Sequence, residues 1–174
     1  MPGKVDKPTQ NTAFLGILGQ EKTMIKVLFI CHGNICRSTM AESVMTFLVK
    51  KANVEDKFYI NSAATSREEI GNPPHRGTVA KLKQEGIPVV QHSAVQMTLN
   101  DYEEYDYLIG MDTENIRNMQ RMTGGDPDEK IYKLMTFAGS GMDVADPWYT
   151  GDFEATYRDV RKGCEGLLKL LLEN

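Results

Sequence analysis

A chain of 174 residues with a formal charge of −4 is long enough to bury one hydrophobic core, and its acidic balance gives no electrostatic reason to bind nucleic acid or an anionic membrane surface. Three cysteines are an odd and sparse set, which argues against a disulfide scaffold and for a reducing, cytoplasmic setting. No run is long and apolar enough to span a bilayer, and any anionic ligand would need a local positive field.

Residues 1–23 read as a flexible N-terminal extension, appended by cloning or by an early start codon, with 24–174 as a single domain. AFLGIL (13–18) is too short for a signal-peptide core and is followed by polar residues without a cleavage-type site. KVLFI (26–30) predicts a buried strand, and Ser38 to about Lys51 a helix with the stripe Ala41, Val44, Met45 and Leu48. KFYINSAAT (57–65) predicts a second strand, and EIGNPPHRG (69–77) a loop set by Gly and Pro. Thr78–Glu85 predicts a helix stopped by Gly86. YDYLIGM (105–111) is a third strand, after which Asp112 caps a helix through Gln120. KIYKLM (130–135) is a fourth strand, and residues 138–152 form a long loop. Phe153, Tyr157, Val160, Cys164, Leu167 and Leu171 mark one face of a final helix. Strands alternating with helices imply an α/β fold with a parallel sheet, whose binding crevice lies beyond the carboxyl ends of the strands.

The loop after the first strand sits at that crevice. It starts with Cys31 and runs through His32, Gly33, Asn34, Ile35 and Cys36 to Arg37 and Ser38. Gly33 lets the chain turn, and Asn34 tolerates left-handed geometry. Successive inward amides make an anion nest, and the helix beginning near Ser38 adds its positive dipole end. Arg37 adds a planar fork that fits two oxygens of a phosphate. The same field favours the thiolate of Cys31 over the thiol and prepares it to attack. Ser38 has two readings: a hydroxyl donor to that sulfur, or a plain helix cap.

Other chemistries fit less well. A lone buried cysteine is ordinarily a small hydrophobe, but here strand, Cys, Gly, Asn, Arg, Ser and helix coincide. A nucleotidase-type phosphate loop needs G-x-x-x-x-G-K, and no lysine stands here. Cys31 and Cys36 are too far apart for a C-x-x-C redox pair, and the three histidines are too scattered for zinc. No metal or cofactor is expected.

C-H-G-N-I-C-R-S followed by T-M-A-E resembles the signature of the low-molecular-weight protein tyrosine phosphatases, and D-P-W-Y (146–149) matches their second landmark. The resemblance spans about Met24 to Leu172. It implies a three-layer sandwich, with a four-stranded parallel sheet in the order 2-1-3-4 and helices on both faces. It implies Cys31 as nucleophile, Arg37 as phosphate clamp, Ser38 as the hydroxyl beside the nucleophile and Asp146 as general acid. Asn34, Ser62 and His92 resemble the buried hydrogen-bond set that holds the loop in shape. Several positions depart from the family pattern. Thr39 stands where many members have Pro, Val95 where an Arg is frequent, and S-R-E-E (66–69) in place of an aromatic-rich stretch. His32, at the mouth of the cleft, and the 66–69 stretch bear on peptide or protein preference rather than on catalysis, the other reading of Arg67, Glu68 and Glu69 being an ordinary solvated loop.

The expected chemistry is in-line attack by Cys31 on phosphotyrosine or small aryl phosphates, with Asp146 protonating the leaving phenolate and then activating water. Taken alone, Asp146 is a common turn opener, and Trp148 and Tyr149 are either an aromatic wall for the phenyl ring or packing for the loop. The alternatives are a protein-arginine phosphatase, an arsenate reductase and a non-catalytic anion-binding module. The first would resemble relatives with Thr where Ile35 stands. The second would resemble relatives with relay cysteines that residues 71–104 lack. A monomer or weak dimer is expected, with inorganic phosphate as product.

Overall fold

The computed structural model describes residues 24–174, so the reading of residues 1–23 lies outside the described residues. Strand β1 (Ile25–Cys31) leads into helix α1 (Arg37–Lys51), β2 (Phe58–Ala64) and α2 (Arg76–Gln84). Then come α3 (Leu99–Glu104), β3 (Tyr107–Gly110), α4 (Thr113–Thr123) and β4 (Ile131–Lys133). A 3₁₀ turn (Leu134–Ala138), the short helix α5 (Pro147–Thr150) and the long helix α6 (Phe153–Glu173) complete the chain. The sheet is all parallel and ordered β2-β1-β3-β4.

Alternation along β1 divides the core. Val27, Phe29 and Cys31 face one side with α1, α2 and α6, where they meet Met40, Val44, Leu82, Val160 and Leu167. Leu28 and Ile30 face the other side with α3 and α4, where they meet Met97, Tyr102, Leu108 and Met119. These are the outer layers of the expected sandwich. The predicted stripe of α1 is buried, but so are Arg37, Ser38, Thr39, Glu42 and Ser43. The first half of this helix is enclosed on all sides, which a one-face pattern does not describe.

Several boundaries differ from the sequence reading. The fourth strand keeps only Ile131–Lys133, because Leu134 and Met135 turn inward as part of the 3₁₀ segment under α6. The third strand starts at Tyr107, α2 begins at Arg76, and α4 runs on to Thr123 before Gly124 closes it in the left-handed region (φ 76°). Helix α3 was not expected. It is six residues long and buries only Tyr102, so it carries no periodic signal, although Thr98 and Asp101 form a reciprocal capping box. The loop 138–152 contains α5, capped by Asp146 with Pro147 in its first turn.

Because every strand points the same way, Cys31 and Asp112, which closely follows β3, lie at one edge of the sheet. The order reverses between β1 and β3, and the crevice opens there.

Candidate active site

The loop from Cys31 to Arg37 holds its shape by having its carbonyls drawn outward. Cys31 O accepts from Thr65 N (3.0 Å), and His32 O accepts from the N and Oγ of Ser66 (3.1 and 2.8 Å). Ile35 O accepts from His75 N (2.7 Å) and from the Thr39 hydroxyl (2.9 Å). Cys36 O accepts from the hydroxyls of Thr39 (3.2 Å) and Thr78 (3.0 Å). With these oxygens occupied behind the loop, the N–H sides of the peptides face the crevice. Thr39 supplies one hydroxyl hydrogen that lies between the Ile35 and Cys36 carbonyls.

Asn34 is the internal strut. Its backbone is left-handed (φ 61°), and its N–H donates to Cys31 Sγ at 3.3 Å. Its amide nitrogen donates to Ser38 Oγ (2.7 Å) and Ser62 Oγ (3.0 Å). Its carbonyl oxygen accepts from Val95 N (3.1 Å) and His92 Nε2 (2.6 Å). Ser38 Oγ stands 3.1 Å from Cys31 Sγ. Since Ser38 already accepts from Asn34, its own hydrogen is free to point at the sulfur. Ser38 is not the helix cap: that position is Cys36, which makes no side-chain capping bond.

Ser62 in turn donates to Glu42 Oε1 at 2.6 Å, which places a buried carboxyl behind the loop. Burial pushes the Glu42 carboxyl up to about 7, with the Ser62 hydroxyl opposing. Burial likewise lowers His92, whose Nδ1 lies 3.6 Å from Glu42 Oε1. The sequence reading missed Glu42. Its signal was its place at the end of T-M-A-E, a single charged residue among the small and apolar residues that open the helix.

Arg37 is buried. Its Nη1 donates to Asp112 Oδ2 (2.7 Å) and Val144 O (2.8 Å), and its Nη2 lies 3.4 Å from Asp146 Oδ2. Asp112 was read only as a helix cap. It does cap α4, accepting from Asn115 N at 2.7 Å, and its second oxygen fixes the guanidinium. Asp146 Oδ1 accepts from Trp148 N at 3.1 Å, so α5 orients this carboxylate.

The cleft has about 540 Å³ of empty space open to solvent. Cys31, Gly33, Ile35, Cys36 and Arg37 line it, joined by His32 and Asp146. Trp148 and Tyr149 also line it and are 60% and 84% exposed, and the Trp148 ring meets His75 edge-on. Glu68 and Glu69 also line the cleft; Glu68 is exposed, and Glu69 is half-buried. Asn34, Ser38, Ser62 and His92 lie behind the lining. Burial, aided by Cys31 and Asp146 and opposed by Arg37, pushes the Cys36 thiol up to about 12.

A parallel α/β sheet that ends at a cysteine, an inward-facing amide loop and a fixed guanidinium defines a cysteine-dependent phosphomonoester hydrolase. The chain belongs to the low molecular weight phosphotyrosine protein phosphatase family, whose pattern its residues 26–174 match. Among its relatives is the low molecular weight protein-tyrosine-phosphatase YfkJ of Bacillus subtilis, 42% identical over 147 residues, covering 83% of this chain and 94% of that one. The YfkJ crystal structure superposes with a TM-score of 0.83 at 41% identity, over 86% of this chain and 96% of that one. SP-PTP, a low molecular weight protein tyrosine phosphatase from Streptococcus pyogenes, superposes at 0.77 with 45% identity, over 85% and 93% of the two chains. DARP, a Drosophila arginine phosphatase, superposes at 0.76 with 29% identity, over 84% and 97%.

Proposed function

We propose that this chain is a protein-tyrosine phosphatase that cleaves phosphotyrosine in proteins, and small aryl phosphates, through a phosphocysteine on Cys31. The observation that carries the reading is the convergence on one sulfur. Asn34 N–H and Ser38 Oγ lie 3.3 and 3.1 Å from Cys31 Sγ, while Arg37 is fixed in the same cleft.

The phosphate dianion settles on the loop amides and Arg37, in line with the sulfur. In doing so it competes with Asp146 for Arg37 Nη2 and turns that carboxyl toward the ester oxygen. Cys31 Sγ attacks phosphorus, the P–O bond breaks, and Asp146 gives its proton to the departing phenolate. Water then attacks the phosphocysteine, Asp146 takes a proton, the Ser38 hydroxyl supports the departing sulfur, and inorganic phosphate leaves. Positioning and charge stabilisation supply the rate, with the proton transfer worth about 10²–10⁴-fold.

Phosphoarginine is the closest competing substrate. Ile35 is buried and lines the cleft with an apolar side chain, which supports an aromatic ester. Arsenate reduction would need a thiol relay. Cys164 is the one cysteine beyond the loop, and it lies fully buried against α1 with its Sγ 3.8 Å from Ala41 O. Phosphate release from p-nitrophenyl phosphate, phosphotyrosine and phosphoarginine tests the reading directly. Cys31→Ser is expected to abolish turnover. Asp146→Ala should slow phosphotyrosine far more than esters with good leaving groups. Equal activity in wild type and Cys31→Ser would end the assignment.

A further inference from the structure

The floor of the cleft and its mouth carry opposite charge. Below are Arg37 and the loop amides. Above, the β2–α2 segment places the carboxylates of Glu68 and Glu69 in the lining. Glu68 Oε2 lies 2.6 Å from His32 Nε2, so one carboxylate is held across the mouth by the residue that follows the cysteine. Glu69 has no cationic partner among the described residues; its Oε1 accepts only from the neutral Asn72 amide at 3.2 Å. Its methylenes rest near Gly33, since a Cβ built there would lie 3.3 Å from Glu69 Cγ. Glu69 is therefore close to the anion loop, and its charge contributes to raising the Cys36 thiol. Arg67 is exposed and does not line the cleft, so it does not neutralise the rim from inside.

A phosphate dianion must pass these carboxylates, and repulsion between like charges slows a neutral or acidic peptide. A lysine or arginine next to the phosphotyrosine reverses the sign. Its long side chain reaches from the backbone to the rim while the ring fills the cleft. The exposed rings of Trp148 and Tyr149 add faces on which a cation can rest.

Resting on the tyrosine-phosphatase reading, we infer that this rim selects phosphotyrosine substrates flanked by lysine or arginine. Glu69 receives the substrate cation, and Glu68 exchanges His32 for it. His32 and Glu68 are thus specificity residues rather than catalytic ones.

The test uses phosphotyrosine peptides that differ only in one flanking residue, Lys, Ala or Glu. For each, kcat/KM is compared between wild type and a Glu68→Gln/Glu69→Gln double variant, with p-nitrophenyl phosphate as the reference without a flanking charge. At about 0.01 M salt, where the Debye length is about 30 Å, the Lys peptide is expected to exceed the Ala peptide by roughly 2- to 5-fold and the Glu peptide to fall below it. At about 1 M salt, where that length is about 3 Å, the ratio should approach one, as it should in the double variant. A wild-type ratio near one, or a ratio that survives in the double variant, overturns the inference. If p-nitrophenyl phosphate and the Ala peptide turn over without a Lys preference, only the rim inference fails. If neither turns over, the phosphatase reading fails and takes the inference with it.

Discussion

Arg37 and Cys36 show how single residues are held in the states the site needs. The guanidinium spends Nη1 on Asp112 and Val144 and leaves Nη2 beside Asp146. Asp112 therefore acts from behind, setting the plane of the fork that would meet phosphate. A hydrogen bond to a charged group contributes about 1.5–3 kcal/mol, so Asp112→Asn is expected to lower kcat/KM by roughly 10- to 100-fold. The carboxamide still offers Asn115 N an oxygen, so far-UV circular dichroism should stay native. Unchanged kinetics in that variant would remove Asp112 from the positioning machinery. Cys36 is the second case. The residue is 5% exposed, and burial above all pushes its thiol up to about 12 from an ordinary 9.0. A folded pKa above the unfolded one means that the stabilising contribution is complete below pH 9.0 and is lost as pH rises toward 12. Between about pH 9 and 10.5 the wild type should lose on the order of 2 kcal/mol through this group. Cys36→Ala should lack that slope while starting lower through its lost packing. Urea midpoints measured for both proteins across that range decide it, and parallel curves would count against the assignment.

Between elements, the contact that ties the acid-bearing loop to the anion loop runs through His75. Its N–H donates to Ile35 O (2.7 Å), and its Nδ1 accepts from Gly77 N (2.9 Å), which caps α2. Its ring stacks on Phe153 (centroids 5.4 Å, planes 17° apart) and meets Trp148 edge-on (5.8 Å, 81°). Phe153 lies so flat over α2 that a Cβ on Gly77 would stand 2.3 Å from its Cζ. One residue thus joins the anion loop through its backbone N–H and, through its ring, the start of α2, the start of α6 and the residue two beyond Asp146. The two functions of this histidine are separable. His75→Asn can keep the cap and loses the stack; His75→Phe keeps the stack and loses the cap, at a cost of about 1 kcal/mol of stability. If the stack positions the acid, the Asn variant slows phosphotyrosine several-fold more than an ester with a good leaving group, and the Phe variant slows both alike. Leaving-group dependence of kcat measures this, and the opposite ranking would place the acid loop under other control. EIGNPPHRG (69–77), which holds His75, read as a loop in sequence because of its Gly and Pro residues. Its aromatic partners lie far along the chain, where local pattern cannot report them.

At the scale of the whole molecule, sequence and structure agree where one physical rule decides, and part where two compete. The apolar run KVLFI stands as a strand buried on both faces, one residue longer at each end, and the spacing of Tyr157, Val160, Cys164, Leu167 and Leu171 follows one buried face of the last helix, as read. Cys31, Arg37 and Asp146 were legible through motif, and the structure brings all three to one cleft. Glu42 and Asp112 were not, since a carboxylate's partner across the fold leaves no mark on its neighbours in sequence. The fourth strand shows the competition: LM reads as its continuation, yet Leu134 folds under α6. That packing rests on glycine. A Cβ at Gly166 would lie 1.9 Å from the carbonyl oxygen of Phe137, and one at Gly163 would lie 2.4 Å from Leu134 Cγ. In an open helix, Gly→Ala gains about 1 kcal/mol from propensity. At Gly166 the obstacle is backbone, so α6 must move off the 3₁₀ turn, and overpacking costs about 1–3 kcal/mol or more. The clash exceeds the propensity gain, and Gly166→Ala is expected to lower Tm by about 2–4 °C for each kcal/mol lost. At Gly163 the obstacle is the body of a leucine side chain, which can change rotamer, so Gly163→Ala should cost less. Calorimetry on the two variants ranks them. A more stable Gly166→Ala would mean that α6 does not bear on this turn as closely as the geometry requires.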